Sequence, residues 1–466
     1  LSELLLALDR SSRLALHSQI EAQLRESIRS GRLPAGTKLP STRLLAKELG
    51  ISRGVVVESY AQLQAEGYVS IDQRSKTVVA EGGATTSFEG SEATVDEVPT
   101  LRWDFHPGFP DLDGFPRAGW SRALRAAIKD LPGHRLAYGD LRGDAAARSA
   151  LAGHLARTRS VIADPERVLI VQGVQHGLRL VCEALRAQGA SRIGVEEPSL
   201  PTHSQVIRDA GLEPIPILVD GDGMQVERLE GAKVDAVLLT PAHQFPLGSV
   251  LAPERRKAVV EWAQRSEGFV IEDDYDAEYR YDREPVGALQ GLAPEQVIYT
   301  GSTSKVLAPG LRVGWLLLPE RLYAPTLERK AYGDGISPIV AQLTLAEFIE
   351  TEAFYRHMRR MRSRYRKRRN AIVKALEEEL PEARPTGVAA GLHVLAMLPP
   401  GTDENAIATA ARERGVGVHP LGWHRSVPVP EEPGLILGYA SQAETAIARG
   451  VKELALAIAA SREQRR

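Results

Sequence analysis

A single cysteine, Cys182, stands among 466 residues, so no intrachain disulfide can form. That fits a reducing compartment such as the cytoplasm. Long apolar runs are missing too. No stretch approaches the ~18 residues that a membrane span needs, and residues 1–10 lack the extended apolar core of a secretory signal. A soluble, cytoplasmic protein with no membrane partner is the expectation. Nor does one sign of charge dominate: 58 Lys and Arg against 60 Asp and Glu leave a net charge of −2. The molecule as a whole is therefore no general polyanion binder, and any nucleic-acid contact must be local. What remains, 43% hydrophobic and 25% charged residues without a visible internal repeat, is ordinary globular material, long enough for about three domains.

Local charge is found at the start. Between residues 11 and 80 ten basic side chains face six acidic ones. Ile20, Leu24 and Ile28 recur at helical spacing, and Gly31 with Pro34 ends that helix. Ser41 can cap a second helix with an apolar face of Leu44, Leu45 and Leu49. Gly50 then turns the chain, and Ser52 can cap a third helix striped by Val56, Tyr60 and Leu63. Two short helices about a glycine turn make a helix-turn-helix pattern, whose second helix can enter a major groove. Residues 67–71 and 77–79 read as two strands of a wing. A small helical domain for protein contacts would share the helices, but the basic excess suits phosphate contacts with double-stranded DNA.

Residues 81–100 carry acids but no lysine or arginine, and almost no large apolar side chains. They read as a flexible linker. Beyond them, apolar runs at 168–171, 192–195, 234–239, 269–271, 297–299 and 313–318 alternate with amphipathic helical stretches. That alternation predicts an α/β body over 101–344 with a mainly parallel sheet covered on both faces. Ligands bind such sheets at the carboxyl ends of the strands, where Gly173–Gln175, His243, Asp273–Tyr275 and Lys305 fall. Residues 345–466 read as a smaller α+β domain, entered through one long helix over 354–380. Arg356, Arg359, Arg360, Arg362, Arg364, Arg366, Lys367, Arg368 and Arg369 crowd that helix. We expect a solvated face there rather than a DNA contact. His393 lies in an apolar strand run and reads as a structural histidine.

Lys305 follows a strand-like run, flanked by Ser302, Thr303 and Ser304 and followed seven residues later by Arg312. Alone, such a lysine is commonly a solvated charge. In company it suits pyridoxal 5′-phosphate, whose aldehyde needs an amine, whose ring nitrogen needs an acid, and whose phenolic oxygen needs a donor. The run 271–275 supplies Asp273 and Tyr275 two residues apart, although Asp273 and Asp274 could equally just end a strand. The junction 171–175 leads from strand through Gly173 into a helix, whose free N–H groups can receive a phosphate.

The run 39–53 and the downstream 59–68 closely resemble the winged-helix domain of GntR-family regulators. The resemblance implies DNA contacts from Arg43, Ser52 and Arg53. Gly54 and Val57 stand where some relatives carry further polar side chains. The segment 101–460 resembles the fold-type I aminotransferases, most closely at Tyr138–Gly143, Thr240–Gly248, Glu272–Tyr275 and Ser304–Arg312. The two together, with the His243–Pro246 run and the arginine-rich helix, are similar to the MocR-type regulators. Carried over, the resemblance implies that Lys305 forms an imine with the cofactor, Asp273 pairs with the ring nitrogen and Tyr275 bonds the phenolic oxygen. By the same resemblance Ser302, Ser304, Arg312, Val174 and Gln175 would hold the phosphate. Tyr138 is similar to the tyrosine that reaches the phosphate of a partner subunit, which would imply a head-to-tail homodimer with shared sites.

Three positions depart from the aminotransferase pattern. Leu200 replaces a frequent tyrosine near the cofactor, and His203 either takes over its stacking or is structural. Phe245 replaces an asparagine, as in MocR-type relatives. Ile436 replaces the arginine that clamps a substrate carboxylate; Arg425 is either a substitute or an exposed loop residue. The expected function is a DNA-binding regulator, not an enzyme, that senses a vitamer or an amino-acid-like small-molecule effector through Lys305. Its rivals are a working aminotransferase with an added DNA-binding domain, and a regulator whose body is a cofactor-free scaffold.

Overall fold

The computed structural model describes residues 6–72, 76–80, 101–282, 286–427 and 432–463. The expected linker at 81–100, and Arg74 in the wing, lie outside these residues. Contacts divide the chain into two compact units, Leu1–Val98 and Pro99–Arg466.

In the first unit the helices Leu16–Arg29, Thr42–Leu49 and Arg53–Ala65 precede an antiparallel pair, Val69–Ile71 with Thr77–Val79. Ile20, Leu24, Ile28, Leu45, Val56 and Leu63 form its core. Ser41 Oγ accepts from the Leu44 amide at 3.3 Å and caps the second helix as the sequence suggests. Gly50 ends that helix at φ +63°, a conformation that costs glycine nothing. Ser52 sits at the N-cap of the third helix, but its side chain makes no capping bond. The packing also takes in Leu6 and Leu8. Gln23 exchanges two hydrogen bonds with the Ala7 backbone, at 2.9 and 2.7 Å, so the unit begins ahead of residue 11.

The second unit is built on an eight-stranded sheet. Its order is Val168–Val171, Gly314–Leu317, Val297–Ser302, Phe269–Asp273, Ala236–Leu239, Arg192–Glu197, Glu213–Asp220 and Gly223–Met224. The run at 313–318 does form a strand, but it lies antiparallel to both neighbours. Two antiparallel pairings in succession leave Val168–Val171 running the same way as Val297–Ser302. The carboxyl ends of Val168–Val171, Val297–Ser302, Phe269–Asp273, Ala236–Leu239 and Arg192–Glu197 therefore meet on one edge. Glu213–Asp220 adds a further strand beyond those expected from the sequence; of its residues only Ile217 is fully covered.

The smaller sheet orders Arg384–Thr386, His393–Met397, Gly434–Gly438 and His419–Pro420, all antiparallel. The helices Ala353–Glu379 and Glu444–Glu463 pack against each other. Trp103–Asp104 pairs with Val416–Gly417, so the chain just after residue 100 docks on this smaller part. The arginine-rich helix is a solvated face only in part. Arg364 and Arg368 reach the buried Asp111 carboxylate at 2.7 and 3.0 Å. Arg360 donates to Gly114 O at 3.0 Å and Arg362 to Arg280 O at 2.6 Å. Arg356, Arg359, Arg366 and Lys367 remain exposed.

Candidate cofactor site and nucleic-acid interface

A cavity of about 370 Å³ opens at the carboxyl edge of the large sheet. Lys305, Asp273, Tyr275, Ser302, Ser304, Arg312, Val174 and Gln175 all line it. The turn after Val297–Ser302 carries Lys305, whose Nζ donates to the Gly108 carbonyl at 2.7 Å. Burial lowers the Lys305 amine below its ordinary range, with Asp276 and Asp273 opposing the fall. A lysine held this way gives up its proton more readily and becomes a nucleophile.

Asp273 ends its strand buried, and Oδ1 has no hydrogen-bond partner. Burial, then the Asp274 charge, pushes its carboxyl up to about 7, against the pull of Lys305. An unsatisfied buried acceptor on the cavity wall is what a ring N–H would pair with. His203 lies behind it, Nε2 3.6 Å from Asp273 Oδ2, and also lines the cavity. Burial pushes that imidazole down to about 4, so His203 is neutral. Tyr275 is held protonated: burial first, then Asp276 and Asp273, raise its hydroxyl well above the usual value. Its Oη lies 3.1 Å from His243 Nδ1, which in turn contacts Asp276 Oδ2 at 3.0 Å.

At the other end, the helix Val174–Ala187 starts from Gly173 at φ +95°. A Cβ there would come within 3.2 Å of Arg312 Nη1 and press on the guanidinium, in a backbone conformation that favours glycine. Arg312 itself adopts a left-handed φ of +53° after the turn Pro309–Leu311. Free N–H groups, a guanidinium and the hydroxyls of Ser302 and Ser304 are a phosphate's partners. Amine, acid, phenol and anion cradle thus share one cavity, and the residues present fit pyridoxal phosphate.

Two expected residues lie elsewhere. Tyr138 is 96% exposed and does not line the cavity. Arg425 does not line it either; its Nη2 pairs with Glu432 at 3.0 Å. Ile436 is fully buried against Leu395 and Leu421. His393, read as structural, lines the cavity together with His419 and His424. Apolar spacing does not mark these three: His393 and His419 lie on separate strands of the small sheet, and His424 ends the short turn Leu421–His424 that follows His419. Gly108 is likewise unmarked: it meets Lys305 across 197 positions of chain.

On the first unit, Arg43, Ser52 and Arg53 are all exposed around the helix-turn-helix. Arg53 Nε reaches Thr42 Oγ1 at 3.3 Å, which places it between the second and third helices. Val57 is 45% exposed on the third helix.

Comparison with known proteins agrees with this geometry. Residues 16–79 match the bacterial regulatory proteins of the gntR family, and residues 113–427 match aminotransferase class I and II. Over 464 residues the chain is 33% identical to the uncharacterized HTH-type transcriptional regulator YdeL of Bacillus subtilis, covering 96% of this chain and 97% of that one. It is 32% identical to the probable rhizopine catabolism regulatory protein MocR of Rhizobium meliloti (97% and 95% covered). It is also 32% identical to the pyridoxine biosynthesis transcriptional regulator PdxR of Corynebacterium glutamicum (98% and 99% covered). Among solved structures, LysN of Thermus thermophilus, an α-aminoadipate aminotransferase complexed with N-(5′-phosphopyridoxyl)-L-leucine, superposes with a TM-score of 0.71 at 27% identity, covering 78% of this chain and 94% of that one. Kynurenine aminotransferase of Pyrococcus horikoshii gives 0.71 at 26%, with 78% and 92% covered.

A winged helix-turn-helix carried in one chain with an aminotransferase-type body defines a class of transcriptional regulators that use a catalytic fold. The chain belongs to the MocR-type regulators of the GntR family. Membership of the aminotransferase family implies pyridoxal phosphate as cofactor. Among the described residues no helix is long and apolar enough to cross a membrane.

Proposed function

We propose that this regulator binds pyridoxal phosphate in the Lys305 cavity and that occupancy of the cavity is its signal. The observation that carries the reading is the buried Asp273 carboxylate with an unpartnered oxygen, in the same cavity as a lysine of lowered basicity. When bound, the cofactor supplies an aldehyde that captures an amine. Lys305 provides that amine, Asp273 accepts from the ring nitrogen, and Tyr275 keeps a proton to donate to the phenolic oxygen. Ser302, Ser304, Arg312 and the amides of Val174 and Gln175 hold the phosphate. Arg43, Ser52 and Arg53 contact the operator.

The vitamer reading draws on Ile436. An α-amino acid would bring a carboxylate, and at this position the small sheet offers a buried aliphatic side chain instead of a cation. One relative is named a pyridoxine biosynthesis regulator, which points the same way. Transaminase turnover is not expected, for the same want of a clamp.

A ligand that binds one arrangement of the winged helices better than another shifts their populations. Loading the full-length protein with pyridoxal phosphate should therefore create a visible absorbance band and change operator affinity with no amino acid present. Lys305→Ala should lose both. A wild type that stays colourless sinks the reading. Equal operator affinity before and after loading, with release of a keto acid from added amino acids, would instead make the protein an aminotransferase.

A further inference from the structure

The cofactor groups come from the large sheet, whereas the small sheet adds His393 and His419 to the same cavity, and the turn Leu421–His424 after it adds His424. Their hydrogen bonds fix which nitrogen carries the proton. His424 Nδ1 lies 3.3 Å from the Ser199 carbonyl. A carbonyl only accepts, so Nδ1 is the N–H of that ring. Neutral His424 then has a lone pair on Nε2, 3.0 Å from His419 Nδ1. His419 must donate there, and its own lone pair moves to Nε2. His393 Nε2 lies 3.2 Å from the Pro246 carbonyl, which leaves the lone pair of that ring on Nδ1.

The premise of neutral rings holds at ordinary pH. Burial pushes His419 and His424 down to about 4, each helped by a neighbouring imidazole, and it pushes His393 to about 3. His419 is also fixed in place by Trp423, which meets it edge-on at 4.7 Å and is itself tied to Asn405 Oδ1 at 2.9 Å. The lysine and arginine side chains lining the cavity are Lys305 and Arg312, and the proposed cofactor engages both.

We propose that the part of the cavity bounded by the small sheet recognises a hydrogen-bond donor, an ammonium or hydroxyl group on a small aliphatic amine, and selects against a carboxylate. The proposal rests on cofactor binding at Lys305 and names the class of second ligand that the same cavity takes. The chain of bonds from Ser199 through His424 to His419 leaves an acceptor at Nε2 of His419, the residue paired across the small sheet with Ile436, where the clamping arginine is replaced. A carboxylate brought to that nitrogen would set lone pair against lone pair, and a desolvated anion without a donor is strongly disfavoured. An ammonium group would find an acceptor there instead.

Two probes of equal length separate the cases: 1,4-diaminobutane and 4-aminobutanoate, which differ in one end group. Calorimetry on the full-length protein incubated with pyridoxal phosphate should show the diamine binding about tenfold more tightly or better, the ratio that one good polar contact gives. His419→Leu should bring the two to within about twofold, and His419→Arg should reverse the preference. Equal or tighter binding of the amino acid by the wild type overturns the proposal, and so does failure of both to bind at millimolar concentration. The visible band, recorded on the same samples, reports the cofactor reading separately. A band with the wrong preference refutes only the ligand class, and a missing band refutes the cofactor assignment.

Discussion

Side chains on a strand point alternately to its two faces, and the end of Phe269–Asp273 shows what that does to a run of acids. Glu272 accepts from the amides of Leu289 and Gln290 at 2.9 and 3.1 Å and helps hold a loop. Asp274 takes Arg159 Nε and Tyr299 Oη at 2.6 Å each, in a fully buried ion pair. Asp273, between them, faces the cavity with Oδ1 unpartnered. The sequence left open whether Asp273 and Asp274 merely end a strand; Asp274 holds the structure together, while Asp273 alone meets the cavity. A buried carboxylate without a full set of donors destabilises the empty protein, so Asp273→Asn should raise its stability by about 1–3 kcal/mol above pH 7. The folded carboxyl sits at about 7 against 3.8 in the open chain. Its charge therefore costs wild-type stability progressively as pH rises between those values, and the advantage of the variant should vanish toward pH 4. The same variant should bind pyridoxal phosphate ~10-fold more weakly or worse, equivalent to ~1.4 kcal/mol. Denaturant titrations at two pH values and a cofactor titration check the two halves. A variant no more stable at pH 8 would show that the buried oxygen is satisfied.

Elements were legible where their residues repeat at a fixed period. The three helices of the winged unit and the strands at the cavity edge follow apolar spacing, and glycine marks the turn at Gly50 and the helix start at Gly173. Contacts between elements were not legible. The arginines of Ala353–Glu379 look like solvent-facing charge in sequence, yet Arg364 and Arg368 find Asp111, more than 250 residues away. The cavity histidines likewise gain their roles from distant partners, as His424 does from Ser199. The cofactor residues were readable because resemblance, not periodicity, carried them. For the third helix the question is what Arg53 touches, since it is exposed at the helix start beside Thr42. Arg53→Ala should weaken operator binding by ~1–3 kcal/mol and relax specificity at one base pair if the guanidinium reads a base edge. If it meets phosphate, the loss should be uniform across sequences, and the slope of log affinity against log salt should shallow by about one. Unchanged affinity and slope would show that this end of the helix stays clear of the DNA.

At the scale of the molecule, the cavity of one chain holds an amine, an acid, a phenol and a cradle for phosphate, but Tyr138 stands outside it. A tyrosine 96% exposed beside Leu136, itself 60% exposed, gains nothing from its own chain. Both side chains make sense at a surface that a second copy covers. We expect a head-to-tail homodimer in which Tyr138 of each chain donates its hydroxyl to the phosphate in the other cavity. Two chains also bring two winged helices, which suits an operator of two half-sites. Since the hydroxyl serves an anion, Tyr138→Phe should weaken pyridoxal phosphate binding by about 1.5–3 kcal/mol, although the residue does not line its own cavity. The dimer should survive, because the ring stays. Sedimentation and a cofactor titration on the same samples separate the two effects. Mixed dimers sharpen the test: pairing a Tyr138→Phe chain with a Lys305→Ala chain leaves one cavity with Lys305, and its phosphate partner is then the intact Tyr138 of the Lys305→Ala chain. That cavity should bind with wild-type affinity. Weak binding there would mean that Tyr138 serves its own subunit, and the shared-site arrangement would fall.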